Sequence, residues 1–242
     1  MTDLLRSSSH GNGVSVLYVS DGPKIHKIAD SFNGNSYLKN DFAGIKWYAR
    51  QAKLQGDAPV LHTSSEMALL KIPMLDGARV SVEAPLVDTA VYVKRALDHY
   101  AQTWPRENRV PYHGDLTLDN VLFTDVSVRF FDWEHFDDVG LFWGFDAMYL
   151  ALSSIFLPHL FRQQKFQPSP SVEKIWRTVA DMGVDRQIMV RPLTALYTIF
   201  STDARWADIV ASSPRKLFPM QIDPQEIKRV DDYFERVLLS FD

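Results

Sequence analysis

Three oxygen-bearing side chains in the segment Tyr112–Glu134, YHGDLTLDNVLFTDVSVRFFDWE, are spaced for chemistry: Asp115, Asn120 and Asp132. Two carboxylates and an amide oxygen offer a base for a hydroxyl proton and hard ligands for magnesium, the set that phosphoryl transfer from a nucleotide requires. The residues between them supply the means of bringing them together. Leu116, Leu118, Val121, Leu122 and Phe123 form one apolar run, and Val126, Val128, Phe130 and Phe131 form a second that ends on Asp132. The pattern predicts loop, strand, turn, strand, acid. A hairpin of this size returns the end of its second strand to the loop before its first, so the three polar groups should converge. The plainer reading makes them turn residues, since Asp and Asn favour turns by bonding their own backbone. Three spaced matches on a consistent strand pattern weigh against it.

The order H-x-D-x-x-x-x-N, followed by an aspartate at a strand end, resembles the catalytic and metal-binding segments of protein kinases. In the form HGDLTLDN and then FFDWE it resembles the aminoglycoside phosphotransferase and choline kinase-like family. That family has HGD where protein kinases have HRD, and D-W or D-x-E where they have DFG. The resemblance implies an α+β, bilobal protein kinase-like fold. Residues 1–77 would be a nucleotide-binding N-lobe, a small antiparallel sheet with one helix. Residues 78–242 would be a larger, mainly helical C-lobe holding the catalytic hairpin and the acceptor site. It also implies ATP and Mg2+, with Asp115 orienting the acceptor hydroxyl and taking its proton while Asn120 and Asp132 ligate the metal.

The elements that must position these groups follow in order. SSSHGNG (7–13) reads as a small-residue turn before the strand VSVLYV (14–19), and DGP (21–23) turns into a second strand, KIHKIA (24–29). Backbone amides around Ser9, Gly11 and Gly13 can cover phosphates, because glycine permits close approach. On KIHKIA, Lys27 shares a face with Ile25 and Ala29, as a lysine pointing into a cleft would. By resemblance it takes the place of the strand lysine that contacts the α- and β-phosphates; the alternative is a snorkelling surface lysine. Leu38, Phe42, Ile45, Ala49 and Leu54 predict an amphipathic helix over 37–54, after a possible cap in 33–36. The family places a glutamate there to pair with the lysine. Here Asp41 stands in that position, one methylene shorter, and a plain exposed helix aspartate is the competing reading. Segments 58–61 and 67–72 are two further strands separated by a turn over 62–66. PMLDG (73–77) is then a hinge, and by resemblance the adenine bonds backbone near Lys71, Ile72 and Met74.

Beyond the hinge, residues 87–104 have helical periodicity, and 140–160 read as one strongly apolar, buried helix. Asp146 is its only carboxylate and would be costly to bury without hydrogen bonds. The resemblance gives it a structural role, bracing the catalytic-loop backbone. His113 is expected to be structural too, its ring bonded to backbone near Asp132. Helices follow at 172–182, 186–200 and 224–239, with Trp176, Tyr197, Phe200 and Trp206 expected in the core. In WEHFDD, Glu134 and Asp137 offer negative charge, and Trp133 aromatic surface, to an acceptor; the bland reading is turn residues and core. Glu134 alternatively faces the metal.

Over 242 residues, 46% are hydrophobic and 23% charged, the composition of an ordinary globular protein with room for a sizeable core. A formal charge of −4 with no Lys/Arg-rich block argues against a nucleic-acid partner. The absence of cysteine excludes disulfides and thiolate chemistry. No apolar run is long enough to span a bilayer, no secretory signal stands at the start, and a cytoplasmic location is the expectation. The partner expected is a small-molecule hydroxyl such as a sugar, amino alcohol or aminoglycoside; oligomeric state is left open. Two other readings stay alongside: a nucleotide-binding pseudokinase with a regulatory or scaffolding role, and a helical sugar- or amine-binding module with no nucleotide.

Overall fold

The computed structural model describes residues 2–10, 14–21, 24–29, 32–56, 58–65, 67–203, 206, 218, 220 and 222–240. Strands β1 (Thr2–His10), β2 (Val14–Asp21), β3 (Lys24–Ala29), β4 (Val60–Thr63) and β5 (Ala68–Pro73) make an antiparallel sheet in the order β1-β2-β3-β5-β4. The predicted β2–β3 hairpin is present, with Lys27 opposite Tyr18 on one side and Leu70 on the other. The described part of the turn expected over 7–13 is strand instead. Ser7–His10 are the last residues of β1, a strand that the small polar residues hid, and Ser9 pairs with Ser15. Gly11 and Gly13 lie outside the described residues.

Helix α1 (Phe32–Gln51) carries Leu38 onto the sheet, where it is buried with Ala29, Ala68 and Leu70. It starts earlier than its periodicity suggested, taking Asn33–Ser36 into the helix rather than leaving them as a turn. Tertiary packing outweighs the weak local preferences of such residues. After β5 the chain runs through 74–77 to β6 (Ala78–Arg79), and then α2 (Leu86–Thr103). β7 (Val110–Tyr112) precedes the central hairpin of β8 (Val121–Phe123) and β9 (Val128–Phe130), to which β6 adds a third strand. A 3-10 turn at Leu118–Asn120 leads into β8.

The apolar stretch 140–160 is not one helix. Asp137–Leu141 form β10, paired with β7, and α3 begins only at Phe145 and runs to Phe161. The break falls where Gly140 and Gly144 take left-handed φ of +85° and +95°. A Cβ at Gly140 would meet Val110 O at 2.7 Å, so the close approach of β7 and β10 depends on that glycine. The stretch expected over 186–200 is likewise divided, into α5 (Arg186–Val190) and α6 (Pro192–Thr202). Pro192 has no N–H to continue the ladder and opens the new helix instead. α4 (Pro170–Asp181) and α7 (Pro224–Leu239) complete the helical part. Trp176, Phe200 and Trp206 are buried as expected, whereas Tyr197 is 36% exposed and stands outside the core.

Much of the main core is aromatic. Trp133, fully buried, stacks on Trp104 at 5.9 Å between ring centroids and contacts Trp47, Tyr48 and Phe136. Each such ring contributes about 2–3 kcal/mol by burial alone, which makes this cluster a rigid floor under the residues it touches.

Candidate active site

The hairpin does what its pattern required. The 3-10 turn presents Asn120 beside the loop that carries Asp115. The Asn120 amide nitrogen donates to the Asp115 backbone carbonyl at 2.8 Å and to its carboxylate at 3.2 Å. With the nitrogen engaged there, the amide oxygen is the atom left to face a cation. Asp132 lies two residues beyond the end of β9, and its charge is felt at Asp115, where it opposes ionisation. Burial is the larger cause there, and together they push the Asp115 carboxyl up to about 7, against the pull of hydrogen bonds from Tyr149 and Asn120. The Tyr149 hydroxyl donates to Asp115 Oδ1 at 3.3 Å.

Lys27 reaches this group from the sheet. It is 3% exposed, so it is the buried cleft lysine and not a snorkelling one. Its Nζ lies 2.5 Å from Asp132, 2.7 Å from Asp41 and 3.5 Å from Glu134. Asp41, fully buried, is therefore the helix partner of the lysine and not an exposed surface residue. Burial pushes its carboxyl up, while Lys27 and the Trp133 amide pull it down. With an ammonium at 2.7 Å in a buried setting, the ion pair is the form we assign.

The loop before Asp115 is held by two supports. Asp146, in the first turn of α3, accepts from the His113 amide at 2.8 Å and the Gly114 amide at 3.1 Å, the bonds that its buried carboxylate needs. His113 is fully buried, packs on Trp133 and donates from Nε2 to the Phe131 carbonyl at 2.9 Å. The Asp115 amide points at its Nδ1 at 3.4 Å, so the ring is neutral, and desolvation lowers its pKa to about 4. Gly114, at φ +88°, sits where a Cβ would meet His135 O at 2.6 Å.

A cavity of about 250 Å³ adjoins these groups, with Ile25, Lys27, Ile72, Leu75, Phe131 and Asp132 among its lining. Of the expected connection residues, Ile72 lines it, exposed Met74 lines an adjacent groove, and Lys71 lines neither. The acceptor candidates divide. Glu134, 5% exposed, faces Lys27; Asp137, in β10, is half-buried. Trp133 has no exposed surface and so offers none to an acceptor. Its position beside two acids had suggested a site residue, but the aromatics around it make it core.

The sequence reading missed Tyr149 and Tyr48. Tyr149 lies three residues after Asp146, hence on the same helical face, which was the available signal. Tyr48 accepts from the Phe130 amide at 3.2 Å and pairs with His99 at 2.7 Å, a contact between distant segments that no local pattern announces.

Among the described residues no group of three or more His, Asp and Glu side chains forms a metal cage. Magnesium does not need one, since it takes one or two protein oxygens and completes its shell with phosphates and water. Asp132 and the Asn120 oxygen fit that pattern.

The topology is α+β: a five-stranded sheet with one helix precedes a mainly helical part. Residues 49–140 match the model of the family described as "Phosphotransferase enzyme family", and this stretch holds the HGDLTLDN and FFDWE segments. Among solved structures, the streptomycin–ATP–APH(2″)-IIa ternary complex aligns over 84% of this chain and 93% of that one, at 12% identity and a TM-score of 0.37. No curated protein matches. Among the described residues no helix is long and apolar enough to cross a membrane.

Proposed function

We propose that this chain transfers the γ-phosphoryl group of ATP, as its magnesium complex, to a hydroxyl of a small molecule. The observation that carries the reading is the convergence of Asp115, Asn120, Asp132 and Lys27 from four separate segments on one volume. The division of labour is a nucleotide-binding lobe through residue 77 and a catalytic and acceptor-binding lobe after it.

Asp115 holds the acceptor hydroxyl and takes its proton; a carboxyl pushed up to about 7 is matched to that task near neutral pH. Lys27, held by Asp41, supplies positive charge to the nucleotide phosphates. Asp132 and the Asn120 oxygen would hold magnesium, which when bound neutralises charge on the phosphates and supports in-line transfer. The adenine would lie against Ile25 and Ile72, with backbone of the connection near Lys71–Met74 as its hydrogen-bonding edge. A phosphate-covering role would fall to Ser9, near the end of β1, and to Gly11 and Gly13, which follow it in the sequence. On the acceptor side Asp137 is the acidic candidate, since Glu134 is engaged by Lys27. A cytoplasmic setting, rich in ATP and magnesium, suits this chemistry.

The test is a panel of amino alcohols, monosaccharides, aminoglycosides and a generic protein, each incubated with ATP and magnesium. Transfer to one of the small molecules is the expected result. Transfer only to the protein would overturn the small-molecule acceptor. Stabilisation by MgATP with no transfer to any acceptor would favour the pseudokinase reading.

A further inference from the structure

Helix α1 touches the segment around Asp132 along one face. The Asp41 carboxylate accepts from the Trp133 amide at 2.9 Å through Oδ1 and pairs with Lys27 at 2.7 Å through Oδ2. Asn40 donates to the Glu134 carbonyl at 3.2 Å, and Tyr48, seven residues after Asp41, accepts from the Phe130 amide at 3.2 Å. Between these contacts, three residues after Asp41, lies Gly44. A Cβ there would sit 2.5 Å from Trp133 Cβ and 2.9 Å from two atoms of its indole. The helix backbone thus rests on Trp133 itself, at a distance that no residue with a side chain permits. Asp132, between these anchors, has φ +67°, a left-handed conformation uncommon for a residue with a side chain and stable only when its surroundings impose it.

We propose that Asp41 and Gly44 are a matched pair of positioning residues: the glycine lets α1 approach Trp133 by about one carbon–carbon bond, and the short carboxylate is the length that this closer helix requires. Resting on the phosphotransferase reading for its consequence, the pair fixes Lys27 and holds the left-handed turn at Asp132, whose carboxylate would hold the metal. The lengths agree. Bringing an alanine Cβ from 2.5 Å to ordinary contact near 3.5 Å means withdrawing the helix by about 1 Å. One extra methylene in the acid extends its reach by a similar ~1.5 Å at most. The two changes should therefore compensate, although neither residue touches the other's partner atoms.

The experiment is a double-mutant cycle of Asp41→Glu and Gly44→Ala, with Asp41→Asn as a further variant. Two readouts are taken: thermal stability without nucleotide, and the dissociation constant of ATP with magnesium against that with a chelator. Each single variant should melt lower than wild type and lose about tenfold or more of the magnesium-dependent part of its ATP affinity. The double variant should melt above both singles and recover affinity to within about threefold of wild type. Asp41→Asn keeps the length and the acceptor for Trp133, so it should retain more magnesium dependence than Asp41→Glu despite losing the charge. If a single variant does not fold and the double does, the pairing is upheld. Losses that multiply in the double variant, or a double that fails to fold, overturn it. Absence of ATP binding in the wild type would refute the phosphotransferase reading alone, because the stability cycle still decides the pairing.

Discussion

Asp146→Asn separates a structural brace from a chemical role more sharply than any change to the catalytic loop itself. In the native protein the two carboxylate oxygens of Asp146 accept from the His113 and Gly114 amides at 2.8 and 3.1 Å, in a fully buried position. Asparagine keeps one acceptor and turns an NH2 group toward the other amide, donor against donor. One buried N–H left without a partner costs about 1–3 kcal/mol. Taking ~2 kcal/mol, a chain of this length should melt about 4–8 °C lower. The peptide so released carries Asp115 as its next residue, and a displacement of the base by ~1 Å costs on the order of 10²-fold in turnover. Neither Lys27 nor Asp132 is touched, so MgATP affinity should stay within about threefold of wild type. Calorimetry, nucleotide titration and steady-state kinetics on one preparation check all three. A variant that melts like wild type yet has lost turnover would refute the brace and give Asp146 a direct part in the chemistry.

Asp115→Asn should lower turnover by about 10²–10⁴-fold while MgATP still binds, and retention of wild-type turnover would remove Asp115 as the base. Asp132→Asn should instead weaken MgATP binding, read as a smaller magnesium-dependent thermal shift. Lys27→Met leaves Asp41, Asp132 and Glu134 facing one another without their shared cation and should cost about 3–5 kcal/mol in denaturant unfolding. His113 titrates near 4 when folded and near 6.5 in an unfolded chain, so the native state disfavours its protonation. Its contribution is intact above pH 6.5 and is lost as pH falls from 6.5 toward 4, by at most ~3 kcal/mol, an acid slope that His113→Ala should flatten.

How much of this was legible depended on how local each signal was. HGDLTLDN and FFDWE lie within 23 consecutive residues, and a hairpin is the shortest device for joining separated groups, so the spacing of Asp115, Asn120 and Asp132 already implied their meeting. Lys27 was legible from its apolar neighbours at i±2, because a strand puts alternate residues on one face. The errors fell where local pattern competes with longer-range packing. Ser7–His10 read as a turn and became the end of β1 because Ser15, Val16 and Leu17 pair with them. The apolar run from Gly140 read as helix because periodicity cannot tell a buried strand from a buried helix, and only the pairing of β10 with β7 decides it.

Trp133 shows the same limit inside the site. Placed between Asp132 and Glu134, it suggested a surface for an acceptor, yet its ring lies under His113 and against Trp104, while its amide and its indole receive α1. The aspartate at position 41 looked like an eroded glutamate for the corresponding reason. Its length has no meaning along the sequence and acquires one only from the distance between α1 and Trp133, which Gly44 sets from three residues away. In the pairing proposed above, the close approach that Gly44 allows and the short reach of Asp41 offset one another, so that the carboxylate meets Lys27 at 2.7 Å.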